Sequence, residues 1–231
     1  MRYGIEIFDR FPEYVRGVVV ARDIENPEGQ EELRDMLSEI QIQTRQKIGE
    51  QDYREHPHIA NWREAYRRFG VNPNKHSPSV EALVRQVVKG RQLKSINAVV
   101  DIFNYISLKY LVPSGADDLH KVVGDLRLRY ARGDEIFVPL NGQQVEHPRP
   151  GEVIYADDEK VLCRCWNWRQ GDHTKLTPEA KWVAVNVDCL PPVTRERAEE
   201  ITREVAELIR RFCGGEVNYY ILDRENPQIE I

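Results

Sequence analysis

The sequence predicts an α+β fold, because a helical period governs the first half of the chain and an alternating period governs most of the second. The change falls near Asp125, after which Leu126, Leu128 and Tyr130 are interleaved with arginines. A further amphipathic helix and an apolar strand follow over residues 194–222. Helices, then strands, then one helix are typical of an α+β domain.

Two apolar runs and four amphipathic helices are predicted in the first half. Residues 3–8 are apolar, and the valine-rich residues 15–21 are typical of a buried strand. Beyond them, apolar side chains recur at spacings of three and four residues, which places them on one helical face. The predicted helices are residues 28–48, 62–69, 77–89 and 97–110, with Ser77 as an N-cap and Pro113 as a stop.

Turn residues divide the second half into short strands. Glycine, asparagine and aspartate occur together near residues 133, 141, 151 and 157. We expect one domain over residues 1–231, and if it has two lobes, their seam lies at residues 111–124. The predicted strands are residues 136–140, 153–155, 160–168, 182–189 and 217–222, and the helix at 195–212 is capped by Thr194 and stopped by Gly214.

Composition limits the classes of protein to be considered. With 41% hydrophobic residues, the chain can build a real core. No run of 18 apolar residues and no secretory signal pattern is present, so we expect a cytoplasmic protein without a membrane partner. The four cysteines lack CxxC spacing, and the HxH at His56 and His58 is more typical of a surface turn than of a ligand pair. Neither a metal nor a cofactor is expected.

The charge distribution is uneven. The net charge of -5 argues against general nucleic-acid binding, and DNA is not expected as a partner. Between Trp62 and Arg132, however, 13 Lys and Arg face 6 Asp and Glu, a local net charge of +7. The basic side chains there either solvate helix surfaces or face phosphates, and the sequence leaves both interpretations open.

Several standard active sites are excluded, since GxSxG, GxxxxGK[ST], HExxH and GxGxxG are all missing. Two groups of polar residues stand in apolar settings instead, and such groups form either structural networks or ligand pockets. In the first, Asp101 and Asn104 lie one turn apart and are expected to clamp a loop backbone. The second is Asn167, Arg169, Asp172 and His173, with Trp166 and Trp168 as pocket walls or as core side chains of an edge strand.

Four segments resemble the B3/B4 editing domain of the phenylalanyl-tRNA synthetase β subunit. The most specific is SINAVVDIFNYISLKYLVPSGADD at residues 95–118, and the resemblance runs without a break over about residues 71–190. The resemblance implies helices packed on mixed and antiparallel sheets. It also implies hydrolysis of mischarged aminoacyl-tRNA, here in trans, because nothing resembles the synthetase core. The other segments are LRLRYARGDEIFVPLNG, GEVIYADDEKVLC and LTPEAKWVAVNVDCL.

The chain departs from that family at residues that touch the substrate. Gly115 replaces a histidine two positions after the loop proline, and Phe103 replaces a threonine. The family's pocket glutamate, which reads the tyrosine hydroxyl, falls near Asp172, whereas Asn104 is retained. Phe103 should narrow the pocket, and loss of the hydroxyl-reading pair argues against tyrosine as the preferred amino acid.

The resemblance suggests roles for the remaining candidates. Asn104 and Asn167 would hold the amino acid or a water, Arg169 would support negative charge, Asp172 would read the ammonium, and His173 is the nearest base. Positioning and oxyanion stabilisation can suffice without a protein base. The alternatives are a non-catalytic module that binds tRNA or a free amino acid, and a small-molecule hydrolase or sensor. The expected substrate-binding residues are Phe103, Pro113, Gly115, Trp166 and Trp168, and the expected tRNA-binding residues are Lys75, Arg91 and Lys94.

Overall fold

Five α-helices and ten β-strands make up the fold of this computed structural model, which describes residues 1–231. Four helices lie close to their predicted positions, whereas the second begins at Pro57 rather than at residue 62. The Thr194 side chain caps the last helix as the sequence indicates, but Ser77 does not cap the third, whose N-cap position is Pro78. None of the helices is long and apolar enough to cross a bilayer. They are α1 (Glu31–Ile48), α2 (Pro57–Arg68), α3 (Ser79–Val88), α4 (Ala98–Tyr110) and α5 (Arg195–Cys213).

The strands form one mixed sheet and one antiparallel sheet. They are β1 (Arg2–Ile5), β2 (Val15–Arg22), β3 (Ser114–Asp118), β4 (Leu126–Tyr130), β5 (Val153–Ala156), β6 (Val161–Arg164), β7 (Arg169–Gln170), β8 (Trp182–Cys189), β9 (Glu216–Leu222) and β10 (Gln228–Glu230). Sheet 1 has the order β10-β1-β4-β5-β6-β7, with β1 and β4 parallel. Sheet 2 has the order β3-β8-β2-β9 and is antiparallel throughout. The predicted α+β class with mixed and antiparallel sheets is confirmed.

Sheet 2 buries both of its faces. Val19, Val185 and Val187 lie on the outer face, in a core of 26 buried residues that also takes in α4 and α5. Side chains alternate along a strand, so the neighbouring residues Val18 and Ala184 point to the opposite face. That inner face joins a second core of 32 buried residues, which sheet 1 shares. An enclosed space between two sheets is therefore available for a site.

Polar residues interrupt the inner face of sheet 2. Arg16 of β2 lies opposite Asp188 of β8. Gly115 of β3 lies opposite Asn186, and Asp117 lies two residues further along the same face. Buried polar groups require partners, so the contacts of these side chains decide whether this face is a structural network or a ligand site.

Two predicted strands differ from those observed. Residues 136–140 form only isolated bridges, and Pro139 within them has no N–H to donate to a ladder. The strand predicted at 160–168 ends at Arg164, because Cys165 and Trp166 adopt positive φ angles of 47° and 70°. This sharp turn carries the Trp-Asn-Trp segment away from the sheet and into the inter-sheet space.

Candidate functional site

A cavity of about 490 Å³ lies between the two sheets. Its inner wall comes from β2, β3 and β8 of sheet 2 and from β5 and β6 of sheet 1. Helix α4 supplies Val100 and Phe103, and the turn after β6 supplies residues 166–168. A volume of this size is typical of small-molecule sites.

A buried ion pair forms one end of the cavity. Arg16 is 2% exposed, and its Nε donates to Asp188 Oδ1 at 2.7 Å. The same guanidinium donates to the hydroxyls of Tyr14 and Tyr3 at 2.7 and 2.8 Å. Burial disfavours the charged form of Arg16, but Asp188 and the tyrosines outweigh it and raise its pKa. Arg16 therefore keeps its positive charge in this buried contact.

Asn167 is held against this ion pair. Its Nδ2 donates to Asp188 Oδ2 at 3.1 Å, and its Oδ1 accepts from the Tyr66 hydroxyl at 2.8 Å. Asn167 lines the cavity as the sequence suggests, yet both ends of its amide already have protein partners. Its contacts fix the turn that carries Trp166 and Trp168.

Asp117 is the second buried acid of the cavity, and it lacks a cationic partner. Only 2% of the residue is exposed. Its Oδ1 accepts from Thr174 Oγ1 at 2.6 Å and from Gln170 Nε2 at 2.8 Å, whereas Oδ2 accepts no hydrogen bond from the protein. Burial raises the pKa of Asp117 to about 6, and the two neutral donors offset this only in part.

Open space faces Gly115, one pleat along β3 from Asp117. A Cβ added there would meet no atom within 4 Å. Phe103 lines the cavity from α4, and Tyr155 lines it from sheet 1. The Tyr155 hydroxyl is buried without a hydrogen-bond partner, which is an energetic cost that a bound ligand or water would relieve.

Five of the ten predicted site residues line the cavity. Trp166 also packs in the core, where its ring lies 4.7 Å from Phe11, 4.9 Å from Tyr14 and 5.0 Å from Trp62. The two interpretations of the tryptophans, wall and core, therefore both apply to Trp166. The five lining residues are Phe103, Gly115, Trp166, Asn167 and Trp168.

The other five lie outside the cavity lining. Asn104 follows Phe103 on α4, and the Pro113 carbonyl accepts from Asp188 N at 2.9 Å. Arg169 pairs with Glu146 at 3.0 Å. His173 Nε2 lies 3.6 Å from Asp157 Oδ2, so the candidate base is directed at a neighbouring acid.

Asp172 lies beside the cavity mouth rather than within the cavity. Its carboxylate pairs with Lys175 Nζ at 2.9 Å and accepts from Asn141 N at 2.8 Å. The hydrogen bond from Lys175 holds the pKa of Asp172 below its ordinary value. Lys175 and Asn141 both line the cavity, so Asp172 positions two mouth residues.

Sequence reasoning missed the polar residues of sheet 2. A signal was present in β8, where Asn186 and Asp188 stand two apart in an otherwise apolar strand, a spacing that puts both on one face. Asp101, in contrast, clamps a loop as expected, because it accepts from Ile96 N at 2.9 Å. The remaining missed residues are Arg16 and Asp117.

The expected tRNA-binding residues are all exposed. Lys75 precedes α3, while Arg91 and Lys94 follow it, and none of the three forms an ion pair within the chain. No group of three or more His, Cys, Asp or Glu is arranged to hold a metal ion. The His56 side chain instead caps α2, and His58 Nδ1 lies 3.0 Å from the Tyr110 carbonyl oxygen.

The chain is similar in sequence to known proteins. The sequence profile of the B3/4 domain matches residues 61–214. The phenylalanine–tRNA ligase beta subunit of Chromobacterium violaceum is 40% identical over 108 residues, which are 47% of this chain and 13% of that subunit. The corresponding subunit of Fusobacterium nucleatum is 30% identical over 166 residues, 61% of this chain and 21% of that subunit.

A solved structure is also similar. It is an N-terminal fragment of the phenylalanyl-tRNA synthetase β-subunit from Pyrococcus horikoshii, which matches with a TM-score of 0.44 and 14% identity. The match covers 93% of this chain and 49% of that fragment.

Proposed function

This chain belongs to the B3/4 domain family, and on that premise we propose that it hydrolyses mischarged aminoacyl-tRNA in trans. The family match and the aligned relatives support a tRNA-synthetase-related domain. The aligned relatives are ligase subunits of which the chain spans 13% and 21%. The ligase reaction itself is not part of the proposal.

The observation that carries the proposal is the position of the cavity. Its walls are built from segments that resemble the editing domain, namely α4 with β3, β5 with β6, and β8. Phe103 and Gly115, the two departures from the family pattern, both line it. Substitutions of wall residues at a retained cavity are the expected consequence of altered amino-acid specificity.

The chemistry we propose relies on positioning. No histidine lines the cavity. An aminoacyl ester is already activated, so a water held by cavity polar groups and a stabilised oxyanion can supply the rate. The Asn141 side chain at the mouth is available for the ester end, while the fixed amide of Asn167 shapes the interior.

A deacylation panel tests this proposal. The protein should release amino acid from at least one mischarged tRNA, and Gly115→Leu should reduce that turnover at least tenfold, because the leucine side chain would occupy ligand space. A Cβ at Gly115 meets nothing within 4 Å, so the backbone there accepts a side chain, and circular dichroism checks that the variant is folded before turnover is measured.

The matched control is Gly70→Ala, whose Cβ also meets no atom but lies outside the cavity. It leaves turnover of folded protein unchanged, although its φ of +83° costs some stability. No turnover on any tRNA, at enzyme close to substrate concentration, excludes the deacylase proposal.

A second candidate function is a non-catalytic module that binds tRNA, favoured by the exposed basic residues around α3 and by the histidine-free cavity. Replacing Lys75, Arg91 and Lys94 by glutamine should weaken tRNA binding and lower the slope of log affinity against log salt by about 2–3. A gel-shift or anisotropy titration over several salt concentrations measures both.

The control triple changes the net charge equally at other exposed positions: Arg34, Lys47 and Arg224. It should leave the affinity close to that of the parent protein. Equal losses in both triples would indicate general charge attraction, and salt-independent affinity would exclude the proposed basic surface.

A further inference from the structure

We infer that the cavity selects an aminoacyl group with a positively charged side chain, and that Asp117 binds the charged end of that side chain. The orientation of the ligand in this inference rests on the proposed function. The chemical class is a primary ammonium or guanidinium on a flexible aliphatic stem, as in lysine and its homologues.

Asp117 lacks a countercharge within the protein. Asp117 is 2% exposed and lines the cavity, yet only the neutral donors Thr174 and Gln170 contact it, both through Oδ1. A buried carboxylate without a cation is costly, and a charged ligand that supplies the cation gains what the protein lacks. The free Oδ2 is the atom to which an ammonium would donate.

The protein's own cations are already engaged. Arg16 is neutralised by Asp188 at 2.7 Å. Lys175 is held at the mouth by Asp172, and 41% of its side chain is exposed. Neither cation forms an ion pair with Asp117, so the chain itself supplies no countercharge for this carboxylate.

Asp117 lies at the buried end of the cavity. The polynucleotide chain of a tRNA stays outside the cavity, so the aminoacyl group would enter it from the exposed side, near Asn141 and Lys175. Asp117 belongs to the buried inner face of sheet 2. The far end of an extended side chain therefore reaches Asp117, while the α-ammonium stays outside.

The lining between the cavity mouth and Asp117 is largely apolar. Val100, Phe103, Leu176 and Trp168 supply apolar surface to the cavity. Apolar walls followed by a single acid suit the methylene stem and charged head of a lysine-like side chain, which bury and pair in that order.

Ionisation of Asp117 should control binding. The titratable and charged groups that face it are Arg16 of β2, Tyr3, Tyr155 and Cys163 of sheet 1, His173 after β7, and Lys175 at the mouth. A side-chain ammonium keeps its charge throughout neutral pH. Affinity should therefore rise between pH 5 and 7 and level off above it.

Calorimetry with two nearly isosteric ligands tests the inference on the full chain. Lysinamide and norleucinamide share the α-ammonium and differ at the side-chain end, where one carries an ammonium and the other a methyl group. Lysinamide should bind about 10- to 100-fold more tightly, the range expected for a charged hydrogen bond. Asp117→Asn, which keeps an acceptor for Thr174 and Gln170, should remove most of that difference.

Equal affinity for the two amides, or no binding of lysinamide at millimolar concentration, overturns the inference. The deacylation panel remains separate. If the protein hydrolyses tRNA esters of amino acids with uncharged side chains and binds the two amides equally, the proposed function is retained and the specificity for a charged side chain is rejected. Selective lysinamide binding without turnover on any tRNA would reject the deacylase and retain the specificity.

Discussion

Replacing Arg16 by methionine should lower the free energy of unfolding by about 3–5 kcal/mol, the cost of leaving one charge of a buried pair without its partner. Arg16 and Asp188 have side chains only 2% and 5% exposed, and their contact is 2.7 Å long. Methionine fills much of the same volume but leaves Asp188, Tyr3 and Tyr14 without the guanidinium donors. Urea denaturation followed by circular dichroism at pH 7 measures the loss.

Two control variants separate charge from packing. Arg67→Met breaks an exposed pair with Glu64 and should leave the free energy of unfolding almost unchanged. The double variant Arg16→Met with Asp188→Leu removes both charges and should recover part of the loss. A stability of the single variant within about 1 kcal/mol of the parent would contradict an ion pair of this depth.

The spacing of apolar residues along the chain was sufficient to predict the helices. Apolar residues at spacings of three and four predict α1 and α5, and the observed helices begin and end within a few residues of the prediction. The same reasoning fails at Cys165 and Trp166, because positive φ angles in non-glycine residues are set by tertiary contacts. Glu152, for example, accepts from Cys165 N at 3.0 Å and fixes that turn from the residue before β5.

The cavity depends on long-range pairing that no local pattern contains. Arg16 and Asp188 are 172 residues apart in sequence and become neighbours only because β2 pairs with β8. Residue type alone was also a poor guide near the cavity. His173 lies close in sequence to the tryptophan segment, but it is directed at Asp157, whereas Asp117 lies two residues beyond Gly115 and was not among the candidates.

The buried acid of the polar inner face costs stability. A core made only of Val, Leu and Ile would pack the two sheets without the desolvation of Asp117. The sequence instead places an acid where burial raises its pKa to about 6, and the expected stability cost can be measured separately from any ligand. Such local conflicts with packing are typical of functional positions.

Asp117→Asn should stabilise the protein above neutral pH and have little effect in acid. The folded-state pKa of about 6 lies above the ordinary value of 3.8, so ionised Asp117 opposes folding. Its penalty is absent below pH 3.8, grows between pH 3.8 and 6, and is complete above about pH 7. A difference of roughly 2 units corresponds to a gain on the order of 3 kcal/mol at pH 8.

Urea denaturation of parent and variant from pH 4 to pH 8 measures this gain as a pH-dependent difference in unfolding free energy. Asp134→Asn, at a side chain that is 77% exposed, is the matched control and should show no such dependence. Saturating lysinamide should narrow this difference at pH 8 by about 1.4–2.7 kcal/mol, the equivalent of the 10- to 100-fold affinity expected from Asp117. If the difference in unfolding free energy between variant and parent were the same at pH 4 and pH 8, burial would not raise the pKa of Asp117. The case for a cationic side chain as its missing countercharge would then fail.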